Sequence, residues 1–307
     1  MNKSKFLDGD LACYASKYTI PSGMVGAISD DRSAVVGKNN WCFIYEGSNN
    51  YRNGYIEKSL ITLGDEWSHV IEARQHFCDN LGVKFLQVII PNKLTLIPEY
   101  FPEKLKVDIS YVLRGIINAE VNANVLIPVS EFRAGYIRET VFRRNDSHLT
   151  ISGNAYLTEL ILNSLDLMNF ETVSIETNVV SHVGDLGVKF PNKLPEELHA
   201  PLWTTGLFNQ RGVGKTKDIE PAGLNGIEQA FVNPGAPIKK KIMVIGNSFF
   251  ERVPSWGLSP FFSSLFNEYY FMWSPSFNAR KIEEYLPDII VVQTCERFLT
   301  KLPVDVF

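Results

Sequence analysis

Cysteine is scarce in this 307-residue sequence, and its four cysteines lie far apart, at positions 13, 42, 78 and 295. No two of them form a C-x-x-C pair, which argues against a zinc site or a disulfide framework and predicts reduced thiols. A large excess of one charge is also absent, because 30 basic residues stand against 34 acidic ones. The resulting net charge of -4 gives no electrostatic footprint for nucleic acid or for an anionic membrane surface.

Long apolar runs are missing as well. No run reaches the roughly 18 residues that a membrane-spanning helix needs. Near the N-terminus, Asp8, Gly9 and Asp10 interrupt the stretch where a signal peptide would need its apolar segment. The sequence therefore predicts a cytoplasmic protein without a membrane span.

Hydrophobic residues make up 45% of the chain, which is ordinary for a globular protein and excludes a disordered one. Short apolar runs alternate with amphipathic segments of helical length. The expected helices cover residues 57–81, 108–122 and 152–168, and the expected strands cover 41–45, 84–90, 124–128, 241–246, 268–273 and 288–292. Such alternation indicates βαβ units. We expect an α/β fold, a three-layer sandwich around a central parallel sheet with right-handed crossovers.

Two segments depart from this alternation. Residues 1–35 are polar and irregular, and we expect them to form an N-terminal extension to a main domain at 36–307. Residues 170–237 are rich in glycine and proline, which predicts an insertion of loops and short strands without a core of its own. His182 and His199 lie in this insertion without a partner at metal-ligand spacing, so we expect no metal there.

A glycine-flanked serine follows one of the predicted central strands. Gly246-Asn247-Ser248-Phe249 comes directly after the apolar run that ends at residue 245. Open α/β sheets place their ligands at the carboxyl ends of strands, and backbone amides around such a serine can face an oxyanion. The glycine would allow a sharp turn. Ser248 is therefore either a nucleophile or the cap of the following helix.

A second polar cluster, Asn145-Asp146-Ser147-His148, precedes the predicted helix at 152–168. In a bent loop, Asp146 and His148 can both face a serine, with the aspartate fixing the imidazole tautomer and the histidine taking the serine proton. The alternative is an ordinary turn, in which aspartate and serine are common. The two clusters together supply all three roles of a nucleophilic triad.

At these residues the sequence resembles a known family. Asp146-Ser147-His148-Leu149-Thr150-x-x-Gly153 is similar to the D-x-H-W-T-x-x-G signature of SGNH-like O-acetyltransferases of the alginate acetyltransferase (AlgX/AlgJ) type, and the Gly246–Phe249 segment is similar to their G-D-S-F block. Shorter blocks at 36–44, 90–93 and 286–299 fit in the same order, and 184–186 fits more weakly. Leu149 replaces the usual tryptophan, and Asn247 replaces the usual aspartate.

The resemblance implies an SGNH-hydrolase-like fold and assigns roles to three residues. Ser248 would be the nucleophile, His148 the general base and Asp146 its orienting partner. The acyl group would pass through a serine ester to a sugar hydroxyl or to water. No metal is implied. No bound cofactor is expected, and the acyl donor would be an acyl-CoA such as acetyl-CoA, although no segment identifies a CoA site.

Four further residues are tentative candidates for oxyanion or substrate binding. Asn92 follows the strand at 84–90 and is either an oxyanion donor or a cap or turn residue. Gly246 and Asn247 flank the serine. Trp273 ends an aromatic strand, where it either joins the core or stacks on a sugar ring, a role that Trp256 shares.

Three functions fit these observations. The first is a cytoplasmic O-acyltransferase, in particular an acetyltransferase, acting on a sugar or glycan precursor beside polysaccharide biosynthesis proteins. The second is a carbohydrate esterase that uses the same three residues with water. The third is a non-catalytic glycan-binding protein with the same fold, which the changes at Leu149 and Asn247 favour and which the retention of all three triad residues opposes.

Overall fold

A seven-stranded sheet forms the centre of the molecule. The computed structural model describes residues 4–21, 23–47, 51–134, 137–168, 174–203, 208–209, 212–250 and 256–307. Within them the strands are Ala34–Val36 (β1), Cys42–Ile44 (β2), Lys84–Ile90 (β3), Val125–Leu126 (β4), Thr177–Val183 (β5), Pro195–Pro201 (β6), Gly214–Ile219 (β7), Glu228–Val232 (β8), Ile238–Gly246 (β9), Phe266–Trp273 (β10) and Ile289–Cys295 (β11). The α-helices are Thr62–Asn80 (α1), Lys93–Leu96 (α2), Tyr111–Asn118 (α3), Val129–Arg133 (α4), Ile151–Ser164 (α5), Ser259–Leu265 (α6) and Ala279–Tyr285 (α7).

The central sheet has the strand order β4-β3-β11-β9-β10-β8-β7. The first five strands are parallel, whereas β8 is antiparallel to β10 and β7 is antiparallel to β8. The expected α/β fold with a central parallel sheet is therefore confirmed, and the sheet is extended by two antiparallel strands. Both extra strands come from residues 170–237. β7 is largely exposed, so it carries none of the apolar runs by which buried strands are found.

Side chains alternate between the two faces of the sheet and produce the three layers. Leu86 and Val88 of β3 join one core cluster, while Phe85 and Ile89 join the other. Helices α5 and α6 bury their apolar side chains in the first cluster, and α1, α3 and α7 bury theirs in the second. Because both faces are covered by helices, the central strands are apolar almost throughout, as parallel strands usually are.

Two β-hairpins flank the central sheet. β1 pairs with β2, and β5 pairs with β6, both antiparallel. The chain before β1 packs on the main core through Phe6 and Leu11, which are 0% and 1% exposed. No helix in the described part of the chain combines the length and the apolar character that crossing a membrane requires.

The parallel strands bring several loops to one edge of the sheet. Cys295 at the end of β11 lies opposite Ile90 at the end of β3, and β11 also pairs with β9 on its other side. The segments that follow these three strands, which begin at residues 91, 247 and 296, therefore start side by side. This is the edge at which open α/β sheets bind their ligands.

Candidate active site

Ser248 lies in a turn just beyond β9. Asn247 donates its backbone N–H to Gln293 Oε1 at 3.1 Å and accepts the Phe249 N–H on its side-chain oxygen at 3.2 Å. The next helix among the described residues begins at Ser259, so Ser248 caps no described helix. Asn247, a tentative substrate-binding residue in the sequence, thus shapes the turn that presents the serine.

Gly246 is notable for a close contact and not for an unusual turn. Its φ lies outside the left-handed region, and a Cβ at this position would lie 2.9 Å from Gln293 Oε1. The expectation that glycine allows a sharp turn here is therefore corrected. A side chain at position 246 would displace the glutamine that accepts the Asn247 N–H, and the serine turn would lose that support.

Asp146, His148 and Ser248 form a hydrogen-bonded chain. The His148 Nε2 atom lies 2.8 Å from Ser248 Oγ, and His148 Nδ1 lies 2.7 Å from Asp146 Oδ1. The same carboxylate oxygen accepts the His148 backbone N–H at 2.8 Å, which bends the loop so that both side chains face the serine. Since a carboxylate only accepts hydrogen bonds, Nδ1 carries the hydrogen and Nε2 is free to accept one from Ser248.

The Asp146 carboxylate is buried and surrounded by donors. Its Oδ2 atom lies 3.3 Å from Arg143 Nη1 and 3.3 Å from His182 Nε2. Burial alone would raise the pKa of Asp146, but hydrogen bonds from His148 and His182 and the charge of Arg143 hold that pKa well below its ordinary value. Asp146 is therefore ionised at neutral pH, and its carboxylate is in the state that accepts hydrogen bonds from both histidines.

The ammonium group of Lys93 anchors the loop that carries Asp146. Its Nζ donates to the backbone oxygens of Cys42 at 2.8 Å, Arg144 at 3.0 Å and Asp146 at 2.8 Å. Lys93 is 5% exposed, and burial lowers its pKa to about 8 although nearby acidic groups oppose the shift. The three N–H groups of the charged amine match the three carbonyl acceptors.

The Gly184-Asp185-Leu186 segment packs against the same loop. Asp185 accepts the Ser147 backbone N–H at 2.7 Å and the Ser147 hydroxyl at 2.5 Å. A Cβ on Gly184 would collide with the backbone oxygen of Asn145 and would lie 2.5 Å from Asp146 Cβ. This weakly matching block of the sequence therefore supports the Asp146–His148 segment directly.

Asn92 lies at the same sheet edge, beside a small cavity. Its backbone N–H donates to Glu296 Oε2 at 2.9 Å, and its side chain does not cap α2, which it precedes. The cavity has a volume of about 10 Å³ and is lined by Asn92, Ser147 and Arg297 among others. Asn92 Nδ2 and Arg297 Nη1 are both buried and make no hydrogen bond of ordinary geometry among the described residues, although the Asn92 side chain interacts more loosely with the Tyr51 hydroxyl. Two donors are thus available to an oxygen atom at this edge.

The two tryptophans proposed from the sequence have different surroundings. Trp273 lies opposite Gly246 in the pairing of β10 with β9, and its ring packs edge-on against Phe271 at 6.3 Å. Trp256 packs edge-on against His182 at 5.2 Å and lies under the guanidinium of Arg143 at 5.6 Å. Trp256 is therefore in contact with both residues that hold Asp146 Oδ2.

Asp146, His148 and Asp185 also offer atoms that lie within 4.8 Å of one another, as a metal site would. Each of these atoms, however, already has a hydrogen-bond partner. Asp146 Oδ1 bonds to His148 Nδ1, and both Asp185 oxygens bond to Ser147. Hydrogen bonding alone accounts for the grouping.

His182 and Arg143 were not singled out as site residues from the sequence. His182 has no carboxylate at metal-ligand spacing in the sequence, and its partner in the fold is Asp146, which lies 36 positions earlier. The one clue to His182 in the sequence was its position two residues before the weakly matching Gly184–Leu186 block.

Similarity to known proteins is found in structure and not in sequence. No family model matches the chain, and no curated protein sequence matches it. Bacillus cereus PatB1 aligns with a TM-score of 0.63 at 12% identity, covering 87% of this chain and 97% of that one. A second PatB1 structure, which carries a sulfonyl adduct, aligns with a TM-score of 0.61 at 12% identity over the same shares of the two chains.

Two further structures share the fold. The O-acetyltransferase domain of Pseudomonas putida AlgJ aligns with a TM-score of 0.52 at 17% identity, covering 89% of this chain and 94% of that one. A DHHW family protein from Eubacterium siraeum aligns with a TM-score of 0.57 at 13% identity, covering 87% and 95%. The fold implied by the sequence resemblance is thereby confirmed.

Proposed function

We propose that this protein is an O-acyltransferase that carries an acyl group, an acetyl group in the first instance, on Ser248 and passes it to a hydroxyl of a sugar or glycan precursor. One observation supports this above all others: Asp146, His148 and Ser248 are joined by hydrogen bonds of 2.7 and 2.8 Å at the carboxyl edge of the sheet. Their fold is also that of the AlgJ O-acetyltransferase domain.

The first half-reaction would form the acyl-enzyme. His148 Nε2 takes the proton of Ser248 Oγ as this oxygen attacks the acyl carbonyl carbon, and the Asp146 carboxylate stabilises the imidazolium. The tetrahedral intermediate then collapses, and the leaving group departs with the proton from His148. In the second half-reaction, an acceptor hydroxyl gives its proton to His148 and attacks the serine ester. The second tetrahedral intermediate collapses to the acylated acceptor, and His148 returns the proton to Ser248 Oγ as this oxygen leaves.

Stabilisation of the oxyanion would come from the Ser248 backbone N–H and from Asn92 Nδ2. The buried Nδ2 atom makes no hydrogen bond of ordinary geometry among the described residues, and a poorly satisfied buried donor is costly unless a ligand uses it. Such donors contribute most when they are fixed before the reaction begins. No metal has a role in this scheme.

The proposed substrates are a sugar or glycan acceptor and an acyl donor. A sugar or glycan acceptor follows from the sequence resemblance, and Trp256 and Trp273 are the side chains proposed to stack on it. The donor would be an acyl-CoA such as acetyl-CoA. We further propose that the protein is cytoplasmic and has no membrane span, and that it associates with polysaccharide biosynthesis proteins.

The experiment is acyl release from p-nitrophenyl acetate by the wild type and Ser248→Ala, with and without a panel of sugars. We expect release to be lost in the variant, and the wild type to form an acetylated sugar. Serine-dependent release to water alone would support the carbohydrate esterase. Equal rates in both proteins would refute catalysis by Ser248 and favour the glycan-binding protein.

A further inference from the structure

The Asp146 carboxylate contacts two histidines, one on each oxygen. His148 lies on Oδ1, and His182 Nε2 lies 3.3 Å from Oδ2. His182 belongs to β5, opposite Glu196 of β6, so it reaches the site from the β5–β6 hairpin and not from a loop of the central sheet. The proposed mechanism uses only the first of these contacts.

Neighbouring groups hold the His182 ring in place. One side packs edge-on against Trp256 at 5.2 Å, and Arg143 covers Trp256 while its Nη1 lies 3.3 Å from the same Asp146 oxygen. The His182 side chain is 28% exposed, against 5% for Asp146. His182 is therefore the more exposed partner of a buried carboxylate oxygen.

We propose that His182 is a positioning residue for the Asp146–His148–Ser248 chain, and that the β5–β6 hairpin acts on the reaction through it. This inference rests on the proposed function. Because a carboxylate only accepts hydrogen bonds, the neutral His182 donates its Nε2–H to Oδ2. That bond fixes the carboxylate plane and keeps Oδ1 directed at His148.

A charge on His182 would act on the same carboxylate that His148 uses. The charged groups around it are Arg143 and Asp146 at the site, and Glu196 across the hairpin, whose carboxylate accepts the backbone N–H of Arg144 at 2.7 Å. Asp185 lies 3.7 Å from His148 Nδ1. A proton on His182 places a second imidazolium on the carboxylate that must stabilise a protonated His148, so the two protonations oppose each other.

The variants separate the hydrogen bond from the charge. His182→Gln keeps an N–H donor but cannot become charged, whereas His182→Leu removes both. We expect His182→Leu to lower kcat about tenfold or more with little change in KM, since it removes a hydrogen bond to a charged group. We expect His182→Gln to retain most of kcat and to shift the acid limb of the pH profile to higher pH.

His199→Gln is the matched control. His199 lies in β6 of the same hairpin and contacts Thr177 Oγ1 at 3.0 Å and the Tyr14 ring at 5.0 Å. We expect its variant to have wild-type kcat and pH dependence, and thermal melts establish that each variant is folded.

A substrate-free readout distinguishes failure of this inference from failure of the proposed function. The NMR signal of the hydrogen that His148 Nδ1 donates to Asp146 is compared in the wild type, His182→Gln and His182→Leu. We expect it to move in His182→Leu and to stay near its wild-type position in His182→Gln. An unchanged signal in His182→Leu overturns the inference, and so does wild-type turnover in that variant. A moved signal in a protein without Ser248-dependent turnover would refute the proposed function and leave the positioning role intact.

Discussion

Replacing Lys93 by methionine tests whether the buried ammonium group holds the loop that carries Asp146 in its catalytic position. The substitution removes the ammonium from the backbone oxygens of Cys42, Arg144 and Asp146. The Arg144 oxygen keeps a second donor, the Cys42 N–H at 2.9 Å. Counting the other two oxygens at the usual cost of an unsatisfied buried group gives about 2–6 kcal/mol of lost stability.

Part of that loss is offset. Burial lowers the pKa of Lys93 from 10.5 to about 8, so at neutral pH the buried charge costs about 3 kcal/mol, which methionine does not incur. The net destabilisation should therefore stay below about 3 kcal/mol. The protein should therefore stay folded, yet turnover should fall about 100-fold, because a shift of about 1 Å in a catalytic group is enough for that.

The stability difference between the wild type and Lys93→Met should increase as the pH rises. The unfolded chain holds the Lys93 proton up to about pH 10.5, whereas the folded protein holds it only up to about 8. Between these values the unfolded state binds more protons, so wild-type stability rises with pH relative to Lys93→Met. The difference should grow by about 3 kcal/mol across that window.

Urea unfolding between pH 7 and 10.5 and p-nitrophenyl acetate turnover measure both effects. Lys84→Met is the matched control, because Lys84 also donates to a backbone oxygen, that of Leu165 at 2.8 Å, but its side chain is 39% exposed. Wild-type turnover in Lys93→Met, or a stability difference that does not change with pH, would refute the reasoning.

Two more substitutions probe the walls of the site. Gly184→Ala should abolish most turnover, because its Cβ would lie 2.5 Å from Asp146 Cβ. Gly223→Ala is the control and should have no effect, because no atom lies within 4 Å of the added Cβ. Normal kinetics in Gly184→Ala would disprove the contact. Arg297→Met should lower kcat/KM, since it removes the buried Nη1 donor. The loss of the guanidinium contacts with Phe249 at 5.3 Å and Phe298 at 5.1 Å should cost about 1–2 kcal/mol of stability. A large loss of stability would instead assign Arg297 a structural role.

The parts of the fold that were predictable from the sequence are those encoded by local patterns. The apolar runs at 84–90, 241–246 and 288–292 identify β3, β9 and β11, because strands buried on both faces must be apolar. β7 was not recognised, since an exposed edge strand that includes Lys215 and Lys217 has no such requirement. Its place in the sheet depends on pairing with β8, which no local pattern encodes.

The candidate site divides in the same way. Asp146 and His148 are two residues apart, and Ser248 follows an apolar strand and a glycine. Short-range patterns therefore single out the three side chains that the structure joins by hydrogen bonds. His182 was missed because its partner Asp146 lies in a distant segment. The role of Lys93 was missed because its acceptors belong to two loops that meet only in the folded chain.

The central claim is that Ser248 carries the acyl group, and locating that group tests it most directly. The wild type is mixed with p-nitrophenyl acetate, quenched in acid within the first turnover, digested and examined by mass spectrometry. We predict one acetyl group on the peptide that contains Ser248, and none on that peptide in Ser248→Ala. Acetylation only at other nucleophiles, such as the exposed thiol of Cys13, would contradict the account.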